Sequence, residues 1–443
     1  MIARTSLVVL VAVALVGTGR AWSQTPPPDA PATDSSAPAP VPPPAPPAPP
    51  MEASAPMAPG EPPAIAASAP PAPYPPTASF KNDIGNGSTL KVGLLLQPQF
   101  QSLGSTALDG NSYNLFIRRT RLLVAGTLFG AFEYFFDTDY PNLFLAANEG
   151  PTALAAATTT KATPGMNIQD AFITWKALGD MVKVDAGYML PPMAHNAVQG
   201  AGTLYSWDYF GFSFLSTANT LLGSAASPVG RDLGVQLRGL VLDGHIEYRL
   251  GLFQGVRTPE TPSAVGDAAT TVGSNNFFRA TGRVQINLLD AEPGFFYAGT
   301  YLGKKKILSL GLSGDTQSSY HYFAGDLFAD LPLGPGVFTA QVDVAHWTGG
   351  TFIALAKETA VMGEAGYNFD AVHVSPIVRV EHLWGGTSPG GTTSVDQTRA
   401  GGGLAFWPYG HTSNLKAFYT RTTETGGVHA ANQFNLQWQL YFL

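Results

Sequence analysis

The chain has no cysteine among its 443 residues. That removes a disulfide framework and a lipid-modified N-terminal cysteine. An exported chain of this size must then be stabilised by its own core or by lipid. Past Phe80 no apolar run reaches about 18 residues, which excludes helical membrane spans. No Lys or Arg stands between Trp22 and Phe80, so there is no polybasic arm and nucleic acid is not an expected partner. The eight histidines are scattered without metal-ligand spacing. No Ser–His–acid set can be assembled, and "GKKK" (303–306) lacks the upstream glycines of a phosphate-binding loop. No catalytic residue, metal or cofactor is therefore expected.

What is present begins with a leader. Arg4 precedes the apolar run from Leu7 to Val16, and Ala21 and Ser23 are the small residues of a signal-peptidase site. Residues 1–23 read as a cleaved signal peptide. Residues 24–80 are rich in Pro and Ala ("PAPVPPPAPPAPP") and hold no core-forming pattern. They read as a disordered, extended linker, a spacer in the periplasm with or without a partner there. Structure is expected from residue 81, after a turn region, "NDIGNGS".

From there to the end, apolar and polar residues alternate. "VKVDAGYML" sets Val182, Val184, Ala186 and Tyr188 against Lys183 and Asp185. "HIEYRLGLF", "RVQINLL", "SPIVRVEHL" and the terminal "NQFNLQWQLYFL" repeat the pattern. Period two is the signature of strands with one greasy and one wet face. A soluble sandwich alternates too. The aromatics at strand ends, Phe132, Tyr134, Phe136, Trp175, Tyr188, Tyr367, Trp407, Tyr419, Trp438 and Phe442, instead fit the girdles of a membrane barrel.

Short connections at 127–130, 177–180, 242–244, 333–336 and 408–413 alternate with longer ones near 102–113, 141–165, 191–229, 256–277 and 385–396. Sixteen strands, at about 22 residues per strand and connection, give an all-β, antiparallel transmembrane barrel over 81–443 with both ends in the periplasm. The last strand must close on the first. Its aromatic Phe442 is the kind of signal that outer-membrane assembly machinery reads, with Leu443 one residue beyond it.

Strand parity also assigns the charges. Arg238, Arg249, Arg279 and Arg283 come from three neighbouring strands and point inward, as a basic wall. Arg119, Arg121, Arg379 and Arg399 join the lining. The register of "IRRTR" is ambiguous: with Arg119 and Arg121 inside, Arg118 faces out. Glu133, Asp137, Asp139, Asp170, Asp185, Asp232, Glu247, Asp343, Glu364 and Glu381 are inward carboxylates. The arginines either attract anions or serve as ion-paired struts of the wall.

The segments "FIRRTRLLVAGTLFGAFEYFFDTDY" (116–140), "IQDAFITWKALGDMVKVDAGYMLPP" (168–192), "GRDLGVQLRGLVLDGHIEYRLGLFQG" (230–255), "AGTYLGKKKILSLG" (298–311) and "SPIVRVEHL" (375–383) resemble the phosphate-selective porin O and P family. The resemblance implies a sixteen-stranded outer-membrane barrel of a Gram-negative bacterium, a homotrimer seated in outer-membrane lipid. It implies a third outer loop folded into the lumen as the constriction. That loop is 191–230, the longest connection, with His195, Tyr205, Trp207 and Asp208 as its candidate constriction residues. It has no Lys or Arg, where the family would place anion ligands. The net charge is −7. The sequence thus points to a general or weakly anion-preferring pore for small polar solutes. A phosphate or polyphosphate channel, or a barrel that is an enzyme or a cell-wall-linked structural protein, is the alternative.

Overall fold

A computed structural model describes residues 79–105, 111–145, 165–211, 231–255, 277–292, 298–353, 355–391, 393–425 and 430–443. The leader and nearly all of the Pro/Ala-rich segment lie outside the described residues. The strands are β1 Phe80–Gly85, β2 Ser88–Ser105, β3 Asn111–Leu128, β4 Phe132–Asp139, β5 Asn167–Lys176, β6 Lys183–Met189, β7 Asp232–Val241, β8 Ile246–Phe253 and β9 Arg279–Asn287. They continue as β10 Ile307–Gln317, β11 Tyr320–Leu333, β12 Gly336–Thr348, β13 Glu358–Phe369, β14 Val374–Trp384, β15 Gln397–Phe406, β16 Ser413–Glu424 and β17 Ala430–Phe442. A single helical turn, α1 His195–Val198, lies between β6 and β7.

Each strand from β2 to β17 pairs antiparallel with its neighbour in sequence, and β17 returns to pair with β2, Phe442 opposite Leu94 and Ala431 opposite Ser105. This is a closed sixteen-stranded barrel. The alternation explains why it closes as it does. On β14, Val378 and Val380 are 62% and 54% exposed, while Arg379 and Glu381 between them are 5% and 3% exposed. Apolar side chains face outward on strand after strand, and polar ones face in. Closure gives each strand from β2 to β17 a neighbour on both edges, which a barrel in lipid requires.

Three features depart from the sequence expectation. First, Phe80–Gly85 is a strand. It turns at Asn86 and Gly87, both at positive φ, and pairs with the start of β2, Phe80 opposite Val92. Asn-Gly is the sequence of such tight turns. Second, Trp407 is no girdle residue. It follows the outward Phe406 and so points inward, where it is fully buried and donates its indole N–H to Ser375 Oγ at 2.9 Å. Third, the long connections are not all on one end. The β2–β3 connection is only 106–110, whereas β9 and β10 are joined by 288–306, on the end where the other turns are short.

Candidate functional site in the barrel interior

Residues 190–211, the described part of the third long connection, fold into the barrel. Met193, Ala194, Ala197, Val198 and Ala201 are small or apolar and uncharged, so they can leave water without an unpaired charge. All five are buried, packed in one cluster with Phe253, Tyr320, Tyr322 and Trp347 of the wall. From the opposite end, Glu292 and residues 298–300 of the connection between β9 and β10 meet this loop. Gln199 and Ala298 form a parallel bridge. Gly200 N–H donates to Ala298 O (2.9 Å) and Thr300 N–H to Thr203 O (3.0 Å). His195 sits 3.1 Å from Glu292 and stacks on Phe328 at 4.0 Å.

The chain terminus holds the same loop from the side. Gln439 Nε2 donates to Gly202 O (2.8 Å), the Tyr441 ring lies on Gly202, and Leu443 packs against the interior cluster. Lys416, buried on β16, donates to Leu204 O (2.7 Å) and Ser206 O (2.9 Å). Neither Lys416, Tyr441 nor Glu292 was singled out from sequence. Strand parity could have flagged Lys416, because Leu415 and Ala417 flank it on the outer face. Nothing local marks Glu292.

Asp208 anchors the upper part of the loop. It accepts from Arg118 Nε at 2.9 Å and from Arg119. Burial opposes its charge, but the two guanidiniums outweigh this and hold its pKa well below the usual carboxylate range. Both arginines reach it because of a bulge. Leu96 faces Thr120 and Pro98 faces Ile117, so Arg118 and Arg119 share one partner, Gln97. One extra residue flips the parity. Arg118 therefore turns into the lumen, contrary to the expectation that it faces out. Burial likewise opposes a charged His195, yet Glu292 beside it raises its pKa. His195 in turn lowers Glu292 to about 2 against its own desolvation.

The other arginines are also engaged. Arg238, Arg249 and Arg283 stand directly opposite one another across β7, β8 and β9, and Arg279 is further along β9. Between and beside them are acids. Arg238 meets Asp185 at 2.8 Å and Glu133 at 3.9 Å; Arg249 meets Glu247 at 2.7 Å. Arg279 meets Asp315 and Asp232, and Arg283 meets Asp326. Arg121 bridges Asp139 (3.0 Å) and Asp137 (3.5 Å). Arg379 reaches Glu381 (2.7 Å), Glu364 (3.4 Å) and Ser206 Oγ (2.7 Å), and Arg399 reaches Glu381 (2.9 Å). Tyr205 stacks on Trp407 with ring centres 6.1 Å apart. Trp207 and Tyr209 line a small gap with Arg379, Glu381 and Arg399. So Arg279 and Arg283 are buried among carboxylates, and Asp208 and Ser206 tie the loop to the wall through Arg118, Arg119 and Arg379.

Among the described residues no group of three His, Cys, Asp or Glu is arranged to hold a metal ion. No family model matches the chain, and no curated relative does. Solved structures do resemble it in shape. A loop L8 deletion mutant of OmpT, an outer membrane protein of Vibrio cholerae, superposes with a TM-score of 0.48 at 11% identity, covering 80% of this chain and 100% of that one. The outer membrane channel DcaP of Acinetobacter baumannii gives a TM-score of 0.48 at 11% identity, covering 82% and 100%. OccK8 (OprE) of Pseudomonas aeruginosa gives 0.42 at 9% identity, covering 80% and 98%.

Proposed function

We propose that this chain is an outer-membrane porin that passes small polar solutes down their gradients, with narrow bore and weak charge preference. The observation that carries the reading is the combination of a closed barrel, apolar outside and charged inside, with a connecting loop folded into its lumen. A sixteen-stranded barrel is wide enough for an aqueous channel. The inward loop and the 288–306 connection then act as the size filter. Each inward arginine described has a carboxylate within 4 Å, so no focused positive potential builds up to select anions. That argues for a general pore over a phosphate-specific one, as does the loop without Lys or Arg. In this reading the barrel sits as a homotrimer in the outer membrane of a Gram-negative bacterium. Its proline-rich segment lies in the periplasm, and Phe442 serves recognition by the assembly machinery.

The test is single-channel recording of the purified protein in planar bilayers. Small unitary steps are expected, with reversal potentials near zero across a potassium chloride gradient. Steps absent at every voltage would overturn the porin reading. Block of chloride current by micromolar phosphate would replace it with a phosphate channel.

A further inference from the structure

A cavity of about 110 Å³ lies between the wall of β2–β4, the loop tip at 199–203 and the chain terminus. One side of it is apolar: Leu95, Leu123, Phe135, Ala201 and Leu443. The other side carries Arg121, Asp137, Arg231 and Gln199.

Two buried polar atoms on this lining have no partner among the described residues. One is Asp137 Oδ1, on a residue 2% exposed; the other is Gln199 Nε2, on a residue 1% exposed. Their hydrogen-bonding senses are opposite, an acceptor and a donor. The amide orientation of Gln199 is fixed by its neighbours. Phe210 N–H donates to Asn196 Oδ1, which leaves Asn196 Nδ2 to donate to Gln199 Oε1. The Gln199 Nε2 donor is thereby left over. A buried polar group without a partner costs free energy that a bound partner returns.

The charges point to the sign of the ligand. Asp139 takes Arg121 at 3.0 Å, and Asp170 takes both Nε and Nη2 of Arg231 at 3.3 and 3.2 Å. Asp137, directly opposite Asp170 in the sheet, is left with one 3.5 Å contact from Arg121. Three carboxylates thus face two guanidiniums, and Asp137 is the one in excess. A buried carboxylate with one weak ion pair and an open acceptor oxygen is completed best by a cationic donor.

We propose that this cavity binds a small organic ammonium compound bearing a hydrogen-bond acceptor and a short hydrocarbon body, an amino alcohol being the simplest case. The ammonium donates to Asp137 Oδ1, the hydroxyl oxygen accepts from Gln199 Nε2, and the carbons lie against Leu95, Leu123 and Phe135. A cavity that is apolar apart from a few placed polar groups is the usual form of a small-molecule site. The proposal rests on the cavity and needs no conduction.

Binding is measured on the folded full chain in detergent micelles by saturation-transfer NMR and calorimetry. Three probes of similar size are compared: 3-amino-1-propanol, 1-butanol and butyrate. The amine is expected to bind at least tenfold tighter than either of the others. Asp137→Asn should bring it down to the level of 1-butanol, and Gln199→Met should weaken it without removing the preference for the amine. Heat-modifiable migration on gels checks that each variant is folded. Should Asp137→Asn not fold, the three-probe comparison on the unaltered chain and the Gln199→Met measurement decide. Equal binding of the three probes, or an amine affinity untouched by Asp137→Asn, overturns the proposal. A pore that conducts but binds no amine would leave the porin reading standing, and an amine-binding barrel without conductance would do the reverse.

Discussion

Gly202→Ala places one methyl group where the structure has none to spare. An ideal Cβ at Gly202 would stand 2.8–2.9 Å from three atoms of the Tyr441 ring. The ring cannot easily yield, because its backbone is held by Thr412 O on one side and paired with Leu95 of β2 on the other. Gly202 does not occupy the left-handed region, so alanine is compatible with its backbone. In open space such a change would stabilise by about 0.4–1 kcal/mol through the unfolded state. Overpacking costs about 1–3 kcal/mol, so the clash wins and the net loss is about 1–2 kcal/mol. Relieving the clash should reverse the sign. In a Tyr441→Leu background, Gly202→Ala is expected to be neutral or mildly stabilising, a coupling in the range of contacting residues, about 0.5–3 kcal/mol. Urea titration of tryptophan fluorescence in lipid vesicles reads all four proteins of the cycle. Single-channel recording of Gly202→Ala alone should show larger or noisier steps as the loop tip is pushed off the terminus. A Gly202→Ala chain as stable as its parent, with no coupling to position 441, would refute the placement of the loop tip on the closing strand.

Three further outcomes are expected. Val378→Arg puts a charge at mid-strand on the apolar outer face and should cost about 2–4 kcal/mol in vesicles; an unchanged urea midpoint would mean that this face does not meet lipid. Arg283→Gln leaves Asp326 buried without its partner and should cost about 3–5 kcal/mol, with Asp326→Asn added to it restoring part, read as folded fraction against urea. Finally, the link between His195 and Glu292 should depend on pH. The raised His195 stabilises the folded loop fully below about pH 6.5 and loses that stabilisation as pH rises through its raised value. The lowered Glu292 stabilises it above about pH 4.5 and loses that toward about pH 2. The attachment is therefore firmest from about pH 4.5 to 6.5, with Asp326 and Arg283 also facing the ring. Channel noise should be lowest in that window and should lose its pH dependence in Glu292→Gln; a pH profile unaltered by that substitution would put the titration elsewhere.

The faces of the strands were legible because period two is a local property. Val378, Arg379, Val380 and Glu381 announce their sides without any knowledge of the partner strand. Where the reading stopped, the cause was non-local. The bulge at Arg118–Arg119 is one residue of mismatch between two strands, and neither strand's own pattern reveals it. Trp407 is the exception: an aromatic of the kind that forms a girdle, it is turned inward by its own local parity, next to the outward Phe406. Nothing in the connection between β9 and β10 itself, whose "GKKK" leaves Lys304 and Lys306 exposed, marks it as a segment that meets the interior loop. Its inward course depends on Gln199, a residue nearly a hundred positions earlier. The interior loop itself was expected only through a family resemblance. Its lack of Lys and Arg is consistent with burial but does not say against what.

The strand β1 bears on how the barrel closes. On an antiparallel seam, a slip of one residue is forbidden by the faces, since it would turn the apolar set inward. A slip of two residues preserves every face, so side-chain pattern alone does not prevent it. Here β17 ends with Phe442 opposite Leu94, and Phe80 already occupies the place opposite Val92. If the closing strand slid two positions in that direction, it would collide with β1. The first six-residue strand thus works as a mechanical stop on the seam, excluding by occupancy one of the slips that hydrophobicity leaves open.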